Sequence, residues 1–162
     1  MRGAILKGGV RVLLRLPILL YRLHLGWLLG HRFLLLTHVG RTSGLRRRTV
    51  LEVVWYTRER RTCLVASGWG EQAQWLKNIL AHPNVEVTVG RQTYRARAQR
   101  LPRDEAAQAF RAYAGRHPWA LQYLARWMLG RPYQGLEDDF VWLAEHVPVV
   151  ELRPVDVAPD VA

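Results

Sequence analysis

Runs of Val, Leu, Thr and aromatic residues, separated by polar or glycine-containing links, recur through the middle and end of the chain. Such runs are typical of short strands. The pattern predicts six strands, at residues 33–38, 49–57, 61–67, 85–89, 93–100 and 149–152. Residues 58–61 and the pair Gly90-Arg91 form short links of the kind that join antiparallel strands, so we expect a mainly antiparallel sheet.

Helical segments flank these strands. Four helices are predicted between and after them, at residues 71–81, 103–116, 117–129 and 136–146. A longer helix is predicted at residues 4–29, where Lys7, Arg11 and Arg15 share one face. Strands joined by hairpins with helices outside favour an α+β fold whose sheet closes as a small barrel.

The chain's 162 residues suffice for one domain. We expect a basic amphipathic arm at residues 1–31, the domain itself at 32–153, and a flexible tail at 154–162. The first 51 residues contain ten Lys and Arg and no acid, so nearly all of the net charge of +11 lies there. This asymmetry indicates an anionic partner: a polyanionic small molecule, an anionic membrane surface reached through residues 1–31, or nucleic acid.

Several classes of protein fit the sequence poorly. The basic segment formed by the first 51 residues lacks a recognised nucleic-acid-binding motif, so no nucleic-acid partner is expected. Arginines interrupt the apolar run at residues 10–36, which argues against a membrane span, and no cleavable signal peptide is visible. The expected location is therefore cytoplasmic. The arm is expected to pack on the domain with its arginines solvated, and the alternative is a peripheral contact on the inner face of the cell membrane. Cys63 is the only cysteine, which excludes an internal disulfide and favours a buried, inert thiol.

Two motifs resemble ligand-binding sites, but the elements predicted around each of them argue against that function. His24, His31 and His38 straddle a predicted helix end, a loop and a strand, so they share no face, and no metal site is expected. Residues 68–73 match the dinucleotide fingerprint, with Glu86 at a suitable distance. A hairpin instead of a strand–helix–strand unit follows, which argues against a nicotinamide site.

The segment 40–48 is the strongest candidate for binding. It contains two glycines and four arginines between two predicted strands, in the order Gly40-Arg41-Thr42-Ser43-Gly44-Leu45-Arg46-Arg47-Arg48. Glycines allow a tight turn, and guanidinium groups bind phosphate or carboxylate through paired hydrogen bonds. The segment is therefore predicted to be an anion-binding loop.

Around this loop the chain resembles the deazaflavin-dependent nitroreductase family of split β-barrel proteins. The resemblance covers roughly residues 31–152. Its carriers are the apolar run 34–37 leading into Gly40-Arg41-x-Ser43-Gly44, then Arg47-x-Thr49 with the strand that follows, Ala66 to Glu71, Trp75-x-x-Asn78, and His82-Pro83. The resemblance implies a split β-barrel that binds reduced deazaflavin coenzyme F-420 and passes its hydride to a quinone, a nitroaromatic compound or another electron-poor acceptor.

The resemblance also implies a set of cofactor-binding residues. These are Arg41, Thr42, Ser43 and Arg47 near the phosphate and acidic tail, Thr49 and Val50 beside the ring, Ala66, Ser67 and Gly68 under ring and phosphate, and Gln74, Trp75 and Asn78 on the closing helix. The family often has lysine at the positions of Thr42 and Gly68, which keeps FMN open as an alternative cofactor.

Two hydroxyl groups are candidates for the catalytic side. Ser67, at a strand end, is predicted to hydrogen-bond the ring or the acceptor, although a serine there equally caps a turn. Tyr133 is predicted to act as a substrate-side hydroxyl or proton donor, with an ordinary surface tyrosine as the alternative. Trp69 and Trp75 are candidate pocket walls, and core packing is the alternative for Trp75. Glu52 is expected to be structural.

The sequence thus predicts an oxidoreductase with a hydrophobic small-molecule acceptor, acting as a monomer or a homodimer. The alternatives are an FMN-binding split-barrel reductase and a non-catalytic basic protein that binds lipid or a membrane surface.

Overall fold

A computed structural model describes residues 26–122 and 133–155. Its centre is a closed barrel of six antiparallel strands in the order β1-β2-β3-β6-β5-β4. The strands are β1 (Phe33–Val39), β2 (Arg46–Thr57), β3 (Thr62–Ala66), β4 (Asn84–Val89), β5 (Gln92–Arg100) and β6 (Val149–Pro154). The predicted α+β barrel is confirmed.

Alternation along the strands fills the barrel interior. On β1, Leu34 and Leu36 are fully buried and belong to the same cluster as Leu51 and Val53 of β2. Side chains two residues apart lie on one face of a strand, so every second residue points inward. The same rule places Arg47 of β2 on the inward face that also carries Leu51 and Val53.

Three helices that are described over their full length accompany the barrel: α1 (Gln74–Ala81), α2 (Arg103–Arg116) and α3 (Glu137–His146). Helix α1 buries Leu76 and Ile79 in the interior cluster of the barrel. Helices α2 and α3 form an outer layer whose core includes Phe110 and Leu143 and reaches Val54 on the outward face of β2. The loop between β1 and β2 lies beside α1, because the Arg41 backbone N–H donates to Asn78 on that helix.

Several predicted boundaries need correction. β2 begins at Arg46, so three of the four arginines assigned to the anion loop lie in a strand, where they pair with residues 37–39 of β1. The predicted helix at 71–81 is a 3-10 turn, Gly70–Gln72, followed by α1. Pro154, placed in the tail by the sequence, is the last residue of β6 and lies opposite Ala96.

Other predictions fall partly outside the described residues. This applies to the arm before residue 26, where only the 3-10 turn Gly26–Leu29 is described, to the helix 117–129 beyond its helical residues 118–122, and to the tail after Val155. Among the described helices, none is long and apolar enough to span a bilayer. The sheet is antiparallel throughout its described pairings, which agrees with the argument against a dinucleotide fold.

The outer layer is tied to β2 by a hydrogen bond between two side chains. The Tyr113 hydroxyl donates to Oε1 of Glu52 at 2.7 Å, and burial together with this carboxylate raises the pKa of Tyr113. Replacing Tyr113 with phenylalanine should lower the free energy of unfolding by about 1 kcal/mol, measured by urea denaturation. Glu52→Gln, which keeps an acceptor, should cost less; an equal or larger loss would contradict the assignment of this bond.

Candidate functional site

The loop that joins β1 and β2 is closed by its own backbone. The Gly40 amide donates to the Leu45 carbonyl at 2.9 Å, and the Gly44 amide donates to the Gly40 carbonyl at 2.8 Å. Gly44 has φ +67, which favours glycine. A Cβ on Gly40 would lie 2.7 Å from Ser43 Oγ and 3.1 Å from Arg47 Nε, so the absence of a side chain there lets these groups approach.

Arg41 is held against α1 by neutral amides. Its backbone N–H and its Nη1 donate to Asn78 Oδ1 at 3.1 and 3.0 Å, while Nη1 and Nη2 both donate to Gln74 Oε1 at 3.1 Å. Amide oxygens orient a guanidinium group without neutralising it. Among the described residues Arg41 has no carboxylate partner, so its charge remains for a ligand.

Arg46, Arg47 and Arg48 alternate in direction along β2. Arg47 lies opposite His38 of β1, on the inward side, and its Nε lies near Gly40. Arg46 points outward and pairs with Glu86 of β4 at 3.2 Å. Arg48 lies opposite Thr37, on the same outward side as Arg46. Only Arg47 of these three therefore joins Arg41 at the loop.

The loop and α1 enclose a pocket of about 300 Å³. Its lining consists of Gly40, Arg41, Thr42, Ser43, Arg47, Gln74 and Asn78. Six of these seven are residues that the family resemblance implies for the cofactor. We call this the anion pocket, because two guanidinium groups without described carboxylate partners line it together with hydroxyl and amide groups.

A larger depression, of about 590 Å³, lies on the outward side of the strands and includes Arg46, Glu86 and Arg95. The ion pair between Arg46 and Glu86 neutralises part of its charge. The depression contains none of the residues implied for the cofactor, so we place the candidate site in the smaller pocket, where the cations are uncompensated.

His38 was not predicted as part of this site. It is 4% exposed, and its Nδ1 lies 3.3 Å from Nδ2 of Asn78, which is also 4% exposed. Burial lowers the pKa of His38, and the charge of Arg47 lowers it further, while a backbone hydrogen bond at Val39 opposes both effects. The sequence offers no signal for this contact, because β1 and α1 are 40 positions apart at these residues.

The other residues implied for the cofactor lie outside the lining of the anion pocket. Thr49 and Val50 are half-buried on opposite faces of β2. Ala66 packs against the outer cluster, and open space surrounds the Cβ position of Gly68. Trp75 is 9% exposed within the interior cluster, which favours the core-packing alternative, whereas Trp69 is 72% exposed. Their contacts with a cofactor remain predictions.

The two proposed catalytic hydroxyls have different surroundings. Ser67 is fully buried and donates its hydroxyl to the Gly70 carbonyl at 2.7 Å, which favours the turn-capping alternative. Tyr133 is half-buried and packs edge-on against Phe140 of α3, with ring centroids 6.2 Å apart. Burial and the nearby Asp139 raise the pKa of Tyr133, so its hydroxyl stays protonated at neutral pH. A catalytic role for either residue remains a prediction.

Cys63 is unsuited to redox or nucleophilic chemistry. It is fully buried inside the barrel, and burial raises its pKa to about 11, although a hydrogen bond with Tyr94 opposes this. Within the described residues, no cluster of three or more His, Cys, Asp or Glu side chains is placed to hold a metal ion. The chemistry that the anion pocket supports is anion binding, because Arg41 and Arg47 line it.

A six-stranded antiparallel barrel flanked by helices, with the anion pocket beside the loop after its first strand, is the architecture of a split β-barrel protein. Residues 23–126 match the model of the F420H2-dependent quinone reductase family. The match covers more than half of the chain, so the chain belongs to this family. The predicted relation to deazaflavin-dependent reductases is confirmed at this level, and an oxidoreductase class follows from the family. No curated protein shows significant similarity to the chain.

Solved structures share the fold at low sequence identity. A protein described as a domain-swapped dimer superposes with a TM-score of 0.54 at 18% identity, covering 76% of this chain and 81% of its own. An F420-H2 dependent reductase superposes with a TM-score of 0.52 at 19% identity, covering 76% of this chain and 96% of its own. A structure described as a putative 5-nitroimidazole antibiotic resistance protein from Bacteroides thetaiotaomicron superposes with a TM-score of 0.53 at 11% identity, covering 80% of this chain and 76% of its own. Identities this low establish the barrel alone.

Proposed function

We propose that the protein is an oxidoreductase that uses reduced deazaflavin coenzyme F-420 to reduce a hydrophobic, electron-poor acceptor such as a quinone. The observation that carries the proposal is the anion pocket, where Arg41 and Arg47 converge without described carboxylate partners. Family membership supplies the cofactor class. Quinones are favoured over nitroaromatic compounds because the matched family is defined by quinone reduction.

The residues of the pocket fit the anionic end of such a coenzyme. When bound, the reduced deazaflavin supplies the hydride. Arg41 and Arg47 would hold the phosphate, and the Ser43 and Thr42 hydroxyls lie in the same lining to complete its hydrogen bonds. Asn78 and Gln74 fix Arg41 before the ligand arrives, so less side-chain entropy is lost on binding.

A direct experiment separates this proposal from its alternatives. The purified protein should change the fluorescence of coenzyme F-420 at micromolar concentration and should catalyse oxidation of the reduced coenzyme when menadione is added. A nitroaromatic acceptor tested alongside should react more slowly. Absence of coenzyme binding would refute the proposal, and tighter binding of FMN in a competition titration would assign the pocket to the alternative flavin.

Membrane contact by residues 1–31 is a separate proposal, supported by the charge asymmetry of the sequence. Basic segments bind anionic lipid surfaces, and salt screens that attraction. The full chain should therefore sediment with vesicles that contain anionic phosphatidylserine at low salt, and should stay in solution with phosphatidylcholine vesicles or at high salt. Vesicle binding without redox activity would instead favour the non-catalytic alternative.

A further inference from the structure

We propose that His38 is a positioning residue for the anion pocket, which it keeps ready for a ligand through Asn78 and Arg41 only while its imidazole is neutral. The inference rests on the proposed use of this pocket and adds a residue and a pH dependence to it. Its basis is a continuous set of hydrogen bonds that runs from the buried end of β1, across α1, to the guanidinium group that faces the ligand.

The Arg41 contacts determine which way the Asn78 amide points. Asn78 Oδ1 accepts from both the backbone N–H and the Nη1 of Arg41, at 3.1 and 3.0 Å. Nδ2, which can only donate, therefore faces His38 Nδ1 at 3.3 Å. An Nδ1 that accepts a hydrogen bond carries no proton, so the geometry requires the neutral imidazole with its proton on Nε2.

Protonation of His38 would disrupt this arrangement. A protonated Nδ1 is a donor, and it would then face the Nδ2 donor of Asn78. Rotating the amide by half a turn would offer Oδ1 to the imidazolium but would turn Nδ2 toward the two donors of Arg41. Either arrangement leaves donors facing donors at the buried Asn78 amide, so Arg41 loses part of the support that holds it in the pocket.

Charged groups on three neighbouring elements surround His38. Arg47, opposite it on β2, is the charged residue whose field lowers its pKa. Arg41 lies beyond Asn78 on the α1 side. Glu86 of β4 lies opposite Thr37, on the outward face, and pairs with Arg46. Burial is the largest cause of the lowered pKa, from the ordinary value of 6.5, so the imidazole is neutral at neutral pH and gains its proton only in more acidic solution.

A proton on His38 has a second consequence of opposite sign. It adds positive charge behind the pocket, which attracts an anion. His38 does not itself line the pocket and lies behind Asn78, which does, so this attraction acts across an intervening side chain, whereas the lost hydrogen bonds act on the amide that holds Arg41. We therefore expect weaker anion binding in acid.

The test compares the full-length wild type with His38→Asn and His38→Leu. An asparagine Oδ1 takes nearly the place of the imidazole Nδ1 and does not titrate, while leucine removes the acceptor. The probe is sulfate, whose charge is constant over about pH 5 to 8, with affinity measured from the amide NMR shifts of the loop. As the pH falls through this range, wild-type affinity should decrease by about 3- to 10-fold relative to His38→Asn. His38→Leu should bind sulfate more weakly than His38→Asn at every pH.

Three results would overturn the proposal: superimposable pH profiles of wild type and His38→Asn, a relative gain of wild-type affinity in acid, or imidazole ¹⁵N shifts that place the neutral proton on Nδ1. The ¹⁵N measurement does not require any variant to fold. Repeating the titration with coenzyme F-420 separates the two proposals. If sulfate shows the His38 effect and the coenzyme does not bind, the proposed function fails and the role of His38 stands.

Discussion

Replacing Arg47 with glutamine should weaken the binding of coenzyme F-420 about 10- to 100-fold. Arg47 points to the inward side of β2, lines the anion pocket, and has no carboxylate partner among the described residues. A charge-assisted hydrogen bond to phosphate is therefore lost with little internal rearrangement. The measurement is a fluorescence titration of the coenzyme, with the thermal unfolding temperature recorded for each variant.

Arg48 provides a matched control for this substitution. It is the next residue of the same strand, it is also exposed, and it points to the opposite face. Arg48→Gln removes the same charge and should change the affinity by less than about threefold, through long-range electrostatics alone. Equal losses for the two variants would mean that net charge attracts the coenzyme and that the pocket does not bind it specifically.

Replacing Asn78 with aspartate should weaken coenzyme binding by about 100-fold or more while the barrel remains folded. The new carboxylate would keep the acceptor for Arg41 but would pair with its charge, and it would also repel the phosphate in a buried position. Two unit charges about 4 Å apart interact with about 4 kcal/mol at the effective dielectric constant of a protein surface, so one added charge is enough for this effect.

Gln74→Glu tests the same change at the solvent edge of the pocket. Gln74 also accepts from Arg41, but it is exposed, so water and salt screen the added charge. Its loss of affinity should be smaller and should shrink further at high salt, whereas the Asn78→Asp loss should persist. Affinity of Asn78→Asp within about threefold of wild type would show that the coenzyme does not approach Arg41.

The sequence predicts the strands well because their burial alternates. Leu34, Leu36, Leu51 and Val53 follow the two-residue period that the barrel interior requires. The start of β2 was missed because consecutive arginines carry no strand signal of their own, and pairing with β1 makes residues 46–48 extended. Tertiary pairing determined the secondary structure at this point.

The candidate site was predicted unevenly for a similar reason. The family resemblance identified six of the seven residues that line the anion pocket. It could not identify His38, which looks like one more residue of a buried strand, because its partner comes from α1. Nor could it separate Trp75 as a pocket wall from Trp75 as a core residue, since both use a large apolar side chain on the inner face of a short helix.

The alternating directions of Arg46, Arg47 and Arg48 have a consequence for how the loop tolerates length changes. If one residue were inserted between Gly40 and Leu45, β2 could accommodate it by slipping one position, which would turn Arg46 and Arg48 toward the anion pocket and Arg47 away from it. The same slip would expel Leu51 and Val53 from the barrel interior. The apolar residues that stabilise the barrel thus also select which arginine lines the anion pocket, so a longer loop must bulge outward and leave Arg47 in that lining.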